Sequence, residues 1–510
     1  MTRATTPGET ASAVLPGRTL QRSRILPWLA VVALLIVATV LRHVLAANTD
    51  VSWLLTVGER VLDGQHLYID IIETNPPMAV LAYLPGIAIA RALGLAAERV
   101  TDALVFIGIA VSLLFSARIL SRASVLGVAQ GWPLALLAVA LLAVLPTQTF
   151  GQREHIALIA MLPMLAVLAG RIKYSAPSWP AAIAAGIGAA IALSFKPYFA
   201  IALLGALVAE AVSTRLSWRV LLRPEYLALA IALALYAAVV IVLFPEFLTV
   251  VGPMVRDVYL QVQQPVMMLL EKPAVTLWAT ALLAAVVLKR RVGVDGPFVL
   301  LLATSAGFAA GFVLQGKGWP YHSYPMIALA LLAFGYARMT YLPVTRTDRL
   351  FGVGAVVLLA LLFIRSMLWF DTAFDARPLQ EKISQLGPRP VILAISAEPG
   401  IGHPLVRAVG GTWVSRQQGL WVAAYHAVLR SRGGVSPAQD RLLEAYAARE
   451  RTMLIEDIKK RPPTLVLVDD LTGSGSEWLK AHPDVADLLK DFRVVATINK
   501  VAFLTRSREP

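Results

Sequence analysis

The residue best suited to acid–base chemistry is Asp50, which follows the first long apolar stretch of the chain, beside Asn48. A carboxylate at a membrane boundary is partly removed from water, and this favours a group that accepts a proton. Asp50 is therefore a candidate catalytic base; the alternative is a solvated residue at a helix end. The segment from Arg42 to Asp102 contains seven acids: Asp50, Glu59, Asp63, Asp70, Glu73, Glu98 and Asp102.

A second candidate group lies in the stretch Glu73-Thr-Asn-Pro-Pro. Pro76 and Pro77 restrict the backbone to a rigid, extended path. We expect this path to hold Glu73 and Asn75 at a defined position facing Asp50, as substrate-binding groups. The alternative is a turn without a functional role.

Three further segments place polar residues between apolar stretches. Their candidate residues are Arg153, Glu154 and His155, then Lys196, then Lys317, Tyr321 and His322. Charged groups near a bilayer are costly, which favours a function for them. The lysines could instead extend to the membrane surface, and His322 could be structural. Together they form an acidic and a basic cluster, which suits a phosphate-bearing lipid beside a carboxylate that activates an acceptor.

The composition excludes a water-soluble globular protein. Of 510 residues, 57% are hydrophobic and only 15% are charged, against about 25% charged in soluble domains. The chain has no cysteine, which excludes disulfides, thiolate catalysis and cysteine metal sites. The net charge of +14 is explained by the loops between spans, so we expect no nucleic-acid partner.

Apolar runs recur from Ile25 to Phe370, each about long enough to cross a hydrocarbon core of roughly 30 Å. If Met78–Leu95 lies along the outer interface, the cytoplasmic segments carry 17 basic and three acidic residues. This bias favours a cytoplasmic tail at 1–25, a membrane domain at 26–370 with its first outer loop at 47–100, and an outside domain at 371–510. The eleven expected spans are 26–46, 101–117, 133–149, 156–170, 180–195, 198–213, 225–244, 273–288, 297–314, 323–337 and 350–369.

Two parts outside the membrane have recognisable patterns. The apolar spacing in Val51–Leu62 predicts an amphipathic helix that lies on the membrane. Residues 371–510 alternate strand and helix signals and predict a small α/β domain. Its strands are expected at 390–395 and 464–468, a helix at 437–460, and a hairpin of 492–498 and 501–505 turning at Asn499-Lys500.

The first-loop Asp50, the Glu73-Thr-Asn-Pro-Pro stretch, Gln152-Arg-Glu-His and Lys317-Gly-Trp-Pro-Tyr-His resemble motifs of GT-C membrane glycosyltransferases, near the aminoarabinose transferase and protein mannosyltransferase group. The resemblance covers residues 26–370. It implies a polytopic helical fold, juxtamembrane helices in the first outer loop and a polyprenyl-phosphate-linked sugar donor. It also implies a catalytic role for Asp50 and for the second-loop acid, Glu154.

The sequence thus favours a hexosyl- or pentosyltransferase of the plasma (inner) membrane, which transfers a sugar with inversion to an outer glycan, lipid or protein acceptor. Asp50 would be the base, and Lys317, Arg153, Lys196 and His322 are the cations available for the lipid phosphate. The sequence leaves open whether the reaction needs a divalent metal ion. The alternatives are a lipid or sugar flippase without covalent chemistry and a noncatalytic scaffold. A transporter would place polar groups near the middle of the membrane, whereas this chain concentrates them at the ends of its spans.

Overall fold

The computed structural model describes residues 19–45, 48–125, 127–214, 218–372 and 374–506, so most of the expected cytoplasmic tail lies outside the described residues. Up to Phe370 the described chain is helical. The helices are α1 Thr19–Val44, α2 Thr49–Leu62, α3 Met78–Leu81, α4 Leu84–Leu93, α5 Ala97–Arg122, α6 Val128–Val139, α7 Arg153–Ile172, α8 Trp179–Phe195, α9 Ala200–Thr214, α10 Pro224–Leu243, α11 Gly252–Met254, α12 Val266–Leu270, α13 Pro273–Val292, α14 Gly296–Gln315, α15 Tyr324–Thr340 and α16 Arg346–Phe370.

Eight helices of the described chain are long and apolar enough to cross a membrane, and the protein is an integral membrane protein. They coincide with eight of the eleven expected spans. The other three expected spans, 133–149, 180–195 and 323–337, correspond to the shorter helices α6, α8 and α15. The polytopic helical fold is confirmed, and the count of eleven crossings stays a prediction.

The segment at Met78–Leu95 forms two short helices, α3 and α4. Pro77 precedes α3, Pro85 lies in the first turn of α4, and Gly94 ends α4 in the left-handed conformation (φ 64°). At 1.5 Å per residue, the ten residues of α4 extend only about 15 Å. These breaks fit the expectation that the segment does not cross the membrane.

The expected helix in the first loop is α2, but its surroundings differ from the expectation. Residues on every side of α2 are buried, including Arg60, which donates to the backbone carbonyls of Trp413 and Ser415. On another side Gly58 allows close approach of α4, because a Cβ there would lie 2.4 Å from Ile87 Cδ1. The helix is therefore enclosed between α4 and the carboxyl-terminal domain and does not lie with its polar face in water.

The last part of the chain is an α/β domain, as the sequence predicts. Its elements are α17 Arg377–Leu386, β1 Val391–Ile395, α18 Leu405–Ala408, β2 Thr412–Trp413, α19 Trp421–Arg432, α20 Pro437–Lys460, β3 Leu465–Asp469, α21 Gly475–Ala481, α22 Pro483–Ala486, β4 Phe492–Ile498 and β5 Val501–Arg506. The strand order is β2-β1-β3-β5-β4, with β1 parallel to β2 and β3, and with β5 antiparallel to β3 and β4. Asn499 and Lys500 have φ of 49° and 60°, which suits the tight turn of the predicted hairpin.

The two faces of this sheet pack in different directions. Side chains alternate along β1 and β3, so Ile392 and Leu467 enter a core shared with α2 to α4. Leu393 and Val466 enter a separate core against α20 and α22. Because the first loop and the sheet share one core, the carboxyl-terminal domain has a fixed place above the first loop.

Candidate active site

Asp50 lies in the first turn of α2, where the backbone favours a negative charge. Asn48 caps this helix by accepting a hydrogen bond from the Asp50 backbone N–H at 2.9 Å. Arg153, the first residue of α7, donates from Nη2 to Asp50 Oδ2 at 2.7 Å. Gln152 donates from Nε2 to Asn48 Oδ1 and, at 3.5 Å, to Asp50 Oδ2. The first and second loops therefore meet at Asp50.

A second charged group lies beside this pair. Lys196, between α8 and α9, donates from Nζ to Glu154 Oε1 at 2.5 Å, and both side chains are buried. The same ammonium lies 3.2 Å from His322 Nε2. Burial lowers the pKa of Lys196; Glu154 opposes this shift and Arg153 adds to it. The cluster thus contains two cations and two carboxylates close together.

The surroundings of His322 favour its neutral form. Burial lowers its pKa well below the ordinary value, and the positive charge of Lys196 lowers it further. Because Lys196 is a donor only, His322 Nε2 accepts, and the proton of the neutral ring lies on Nδ1. That Nδ1 is buried and has no hydrogen-bond partner among the described residues.

Three other buried atoms of the cluster also lack a hydrogen-bond partner among the described residues: Gln152 Oε1, Arg153 Nε and Glu154 Oε2. Leaving a buried polar atom without a partner costs about 1–3 kcal/mol. Unpaired donors on Arg153 and His322 suit an anionic ligand, whose oxygens would accept from both.

Glu73 lies close to α2, although it is bonded by Trp53 and not by Asp50, and Asn75 is bonded to Glu73. Trp53 Nε1 donates to Glu73 Oε2 at 2.6 Å, and Glu73 itself is buried. The Asn75 backbone N–H donates to Glu73 Oε1 at 2.8 Å, and its side-chain amide donates to the same oxygen. Since Trp53 is one helical turn after Asp50, the proline-containing turn is held on the Asp50 side of α2.

His155 supports the second loop in this structure. Its Nδ1 accepts from the Gly151 N–H at 3.0 Å, and its Nε2 donates to the Leu142 carbonyl at 2.8 Å. Both nitrogens are therefore used by the backbone. Tyr83 holds the same turn, since its hydroxyl donates to the Gly151 carbonyl at 2.7 Å.

Lys317 and Tyr321 belong to the same segment as His322. Lys317 Nζ donates to the backbone carbonyls of Tyr259 and Val262 and lies 4.0 Å from the centroid of the Tyr259 ring. Burial lowers the pKa of Lys317 to about 8. The Tyr321 ring contacts His322 at 4.4 Å between centroids and lies 5.5 Å from Lys196 Nζ.

Sequence reasoning missed several residues of the site. Trp53, Tyr83 and Tyr259 are aromatic residues within apolar stretches, and their spacing does not distinguish them from core residues. Glu398, in the loop after β1, was missed because no pattern in the neighbouring sequence indicates that it lies within electrostatic range of Asp50. Tyr198 directly follows the Lys196-Pro197 break between two spans, and this signal could have identified it.

An apolar cavity of about 140 Å³ lies next to the cluster. It is bounded by Tyr83 and Gly86 of the first loop, Thr101 of α5 and Ile156 of α7. Its lining is chiefly aliphatic, which suits a hydrocarbon chain. Among the described residues, no group of three or more His, Asp or Glu side chains is arranged to hold a metal ion.

Comparison with known proteins relates this chain to solved structures only. No protein-family model and no curated protein matches it. The structure is similar to ArnT from Cupriavidus metallidurans in the apo state, with a TM-score of 0.58 at 17% identity, and to the same protein bound to undecaprenyl phosphate, with a TM-score of 0.56 at 15% identity. Each comparison covers 95% of this chain and 98% of the ArnT chain. The chain therefore has the GT-C membrane fold of ArnT, as the sequence resemblance implies.

Proposed function

We propose that this protein is a glycosyltransferase that moves a sugar from a polyprenyl-phosphate donor to an acceptor outside the cytoplasm. The observation that carries the proposal is the Asp50–Arg153 pair at 2.7 Å beside the Glu154–Lys196–His322 cluster. ArnT, whose fold this chain shares, is described in complex with undecaprenyl phosphate. The adjoining apolar cavity at Tyr83 offers space for part of an isoprenoid chain.

In this proposal Asp50 accepts the proton of the acceptor hydroxyl. The hydroxyl oxygen attacks the anomeric carbon and forms a new C–O bond. The bond between that carbon and the lipid phosphate breaks, and its electron pair remains on the phosphate oxygen. Attack opposite to the leaving group inverts the anomeric configuration. Arg153, Lys196, His322 and Lys317 are the groups that would stabilise the phosphate charge.

Donor binding would also prepare the base. Arg153 donates to Asp50 Oδ2 at 2.7 Å, so the oxygen that would accept from the acceptor hydroxyl is occupied. A phosphate group would compete for Arg153, whose Nε is unpaired among the described residues. When Arg153 turns to the phosphate, Asp50 Oδ2 can accept the hydrogen bond of the acceptor hydroxyl. This order favours transfer only after the donor is bound.

The orientation of the site is the second part of the proposal. The positive-inside bias supports a cytoplasmic amino terminus and a carboxyl-terminal domain outside the cytoplasm. A reporter enzyme that is active only in the cytoplasm should stay silent when it is fused after Pro510. Strong reporter activity would contradict this orientation.

The reaction is tested by adding purified protein and radiolabelled polyprenyl-phosphate-linked hexoses and pentoses to membranes from a deletion strain. Asp50→Asn should lower the transfer rate by about 10²–10⁴-fold, the usual contribution of general-base catalysis. Asn keeps the size and hydrogen bonds of Asp50, so thermal unfolding should change little. Comparing the labelled hexose donors with the labelled pentose donors also distinguishes hexosyl from pentosyl transfer.

The matched control is Asp63→Asn, because Asp63 is in the same loop but is exposed and paired with Arg91. Asp63→Asn should transfer at the wild-type rate. Wild-type transfer by Asp50→Asn would remove Asp50 as the base. Lipid movement across the bilayer without any label transfer would instead favour the flippase.

A further inference from the structure

Five aromatic rings form a continuous surface between the membrane helices and the carboxyl-terminal domain. We call this surface the aromatic seam; it consists of Tyr259, Trp319, Tyr321, Trp421 and Tyr425. The Tyr259 ring is 5.8 Å from Tyr425 and 6.3 Å from Trp319, measured between centroids. Trp319 is 5.7 Å from Tyr321, and Trp421 is 6.2 Å from Tyr425. All five side chains are only half-buried, so ring surface remains accessible beside the active site.

The seam is held by contacts from both sides. Glu450 of α20 accepts the backbone N–H groups of Val422 and Ala423 at 3.0 and 2.9 Å and thereby fixes the start of α19, which carries Trp421 and Tyr425. On the membrane side, Lys317 bonds the carbonyls at 259 and 262 and fixes Tyr259. The rings are therefore preorganised, which lowers the entropy cost of binding.

Two carboxylates act electrostatically on the seam. Glu398, in the loop after β1, is half-buried and accepts the Gly400 N–H at 2.9 Å through Oε1. Burial raises the pKa of Tyr425 to about 12, and the charges of Asp50 and Glu398 add to this rise. Tyr425 therefore lies within electrostatic range of both acids, one from the first loop and one from the carboxyl-terminal domain.

We propose that the aromatic seam is the acceptor site and that the acceptor is a carbohydrate, with one sugar ring packed against Trp421 and Tyr425. The axial C–H face of a sugar ring is apolar and slightly positive, which complements the negative face of an aromatic ring. Its hydroxyl groups can donate to carboxylates such as Asp50 and Glu398. This proposal rests on the proposed transferase function and gives the carboxyl-terminal domain a direct role in it.

The chemistry of the seam indicates that the acceptor binds there and that the lipid-linked donor binds elsewhere. The cations that suit a lipid phosphate, Arg153 and Lys196, belong to the membrane-domain cluster, and the aliphatic cavity adjoins them at Tyr83. The seam presents rings from both parts of the chain, and the ammonium of its own cation, Lys317, is already bonded to the backbone carbonyls of Tyr259 and Val262. Asp50 is paired with Arg153 of that cluster and also lies within electrostatic range of Tyr425, so a base for the acceptor hydroxyl is near both groups.

The test measures retention of fluorescently labelled full-length protein, in lipid nanodiscs, on a printed array of defined oligosaccharides. The wild type should retain a restricted set of sugars. Tyr425→Ala and Trp421→Ala should weaken that retention by roughly 3- to 10-fold each, the effect of losing one aromatic stacking contact. Tyr425→Phe keeps the ring and should retain most binding.

The matched control is Trp478→Ala, which removes a half-buried tryptophan of the same domain that stacks on His482 and not on the seam. It should bind sugars like the wild type. All variants are compared by thermal unfolding and by binding of undecaprenyl phosphate, which reports on the proposed function independently of the seam.

Absence of sugar retention in a wild type that still binds undecaprenyl phosphate would overturn the acceptor proposal and leave the transferase proposal standing. The acceptor proposal is also wrong if undecaprenyl-phosphate-glucose displaces the bound oligosaccharide while undecaprenyl phosphate does not, since the seam would then hold the donor sugar. Equal losses for Trp478→Ala and Trp421→Ala would show that the rings act only through stability.

Discussion

Buried ion pairs occur at both ends of the helix bundle, and the two ends differ in how completely they are paired. At the end opposite the active site, Glu225 receives Arg171 at 3.0 and 3.1 Å through both of its oxygens. Glu210 there is bonded by Arg223 through one oxygen and by Tyr226 through the other. Glu154, at the active-site end, is just as buried, yet its neighbours Arg153 and His322 keep unpaired nitrogens among the described residues.

The comparison shows that burial of charge does not by itself identify a functional site. A closed network such as Arg171–Glu225 satisfies its members and holds α7 against α10. An open network contains donors whose cost of burial is not offset by the protein, and that cost is recovered when a ligand binds. Incomplete pairing is therefore what distinguishes these two ion-pair networks.

The largest effect on stability is expected from the closed network. Glu225→Ala should lower the free energy of unfolding by about 3 kcal/mol, because Arg171 is left without its partner and cannot lose its proton. This is the lower end of the usual range, since the Arg171 side chain is 17% exposed. Thermal unfolding in detergent measures the effect, and the rate per folded molecule should be unchanged. A variant with wild-type stability would contradict the structural role of this pair.

The corresponding change in the open network should affect binding more than stability. In Glu154→Gln the buried Lys196 loses its carboxylate partner, and its lowered pKa lets it shed the proton. The protein then avoids an unpaired buried charge but loses a cation for the phosphate. We expect binding of undecaprenyl phosphate to weaken by about 100-fold, within the range for hydrogen bonds to charged groups. Unchanged affinity together with lower stability would place Glu154 in the same class as Glu225.

The smallest effect concerns the pH dependence of donor binding. Because the pKa of Lys317 is lowered to about 8, its charge is lost as the pH rises from 7.5 to 9.5. If Lys317 contributes to phosphate binding, affinity for undecaprenyl phosphate should fall by less than tenfold over this interval. Stability should not fall with it, since between pH 8 and about 10.5 the unfolded chain binds more protons at this lysine than the folded chain.

Lys317→Met is the matched control for that pH profile. It removes the titrating group at 317 and leaves the other lysine of the site, Lys196, in place. The variant should bind the donor about tenfold more weakly at pH 7.5 and should lack the alkaline decrease. If the decrease persists in Lys317→Met, another group causes it and Lys317 serves only to hold the Tyr259 backbone.

The sequence and the structure agree most closely where local signals are strong. The long apolar runs identified eight membrane-length helices because about 20 apolar residues have few other stable environments. The hairpin at Asn499-Lys500 and the strands β1 and β3 were likewise predictable from turn residues and β-branched runs. The Asp50 and Glu154 candidates followed from the cost of charge near a bilayer.

Other features of the site depend on contacts between distant parts of the chain. The enclosure of α2 was not predictable, because its polar residues are satisfied by partners more than 300 positions away, such as Arg407, which bonds Glu59 at 2.6 Å. For the same reason Trp421 and Tyr425 carried no local sign that they border the site.

The sequence by itself therefore determined the membrane class, most spans, the α/β domain and the candidate acids, since these follow from hydropathy, periodicity and charge along the chain. Only the tertiary structure decided which groups pair. It joined Asp50 to Arg153 and Glu154 to Lys196 and His322, and it left His322 Nδ1 free among the described residues. The physical reason is that hydrogen bonds act over about 3 Å, and sequence patterns do not specify which distant side chains approach that closely.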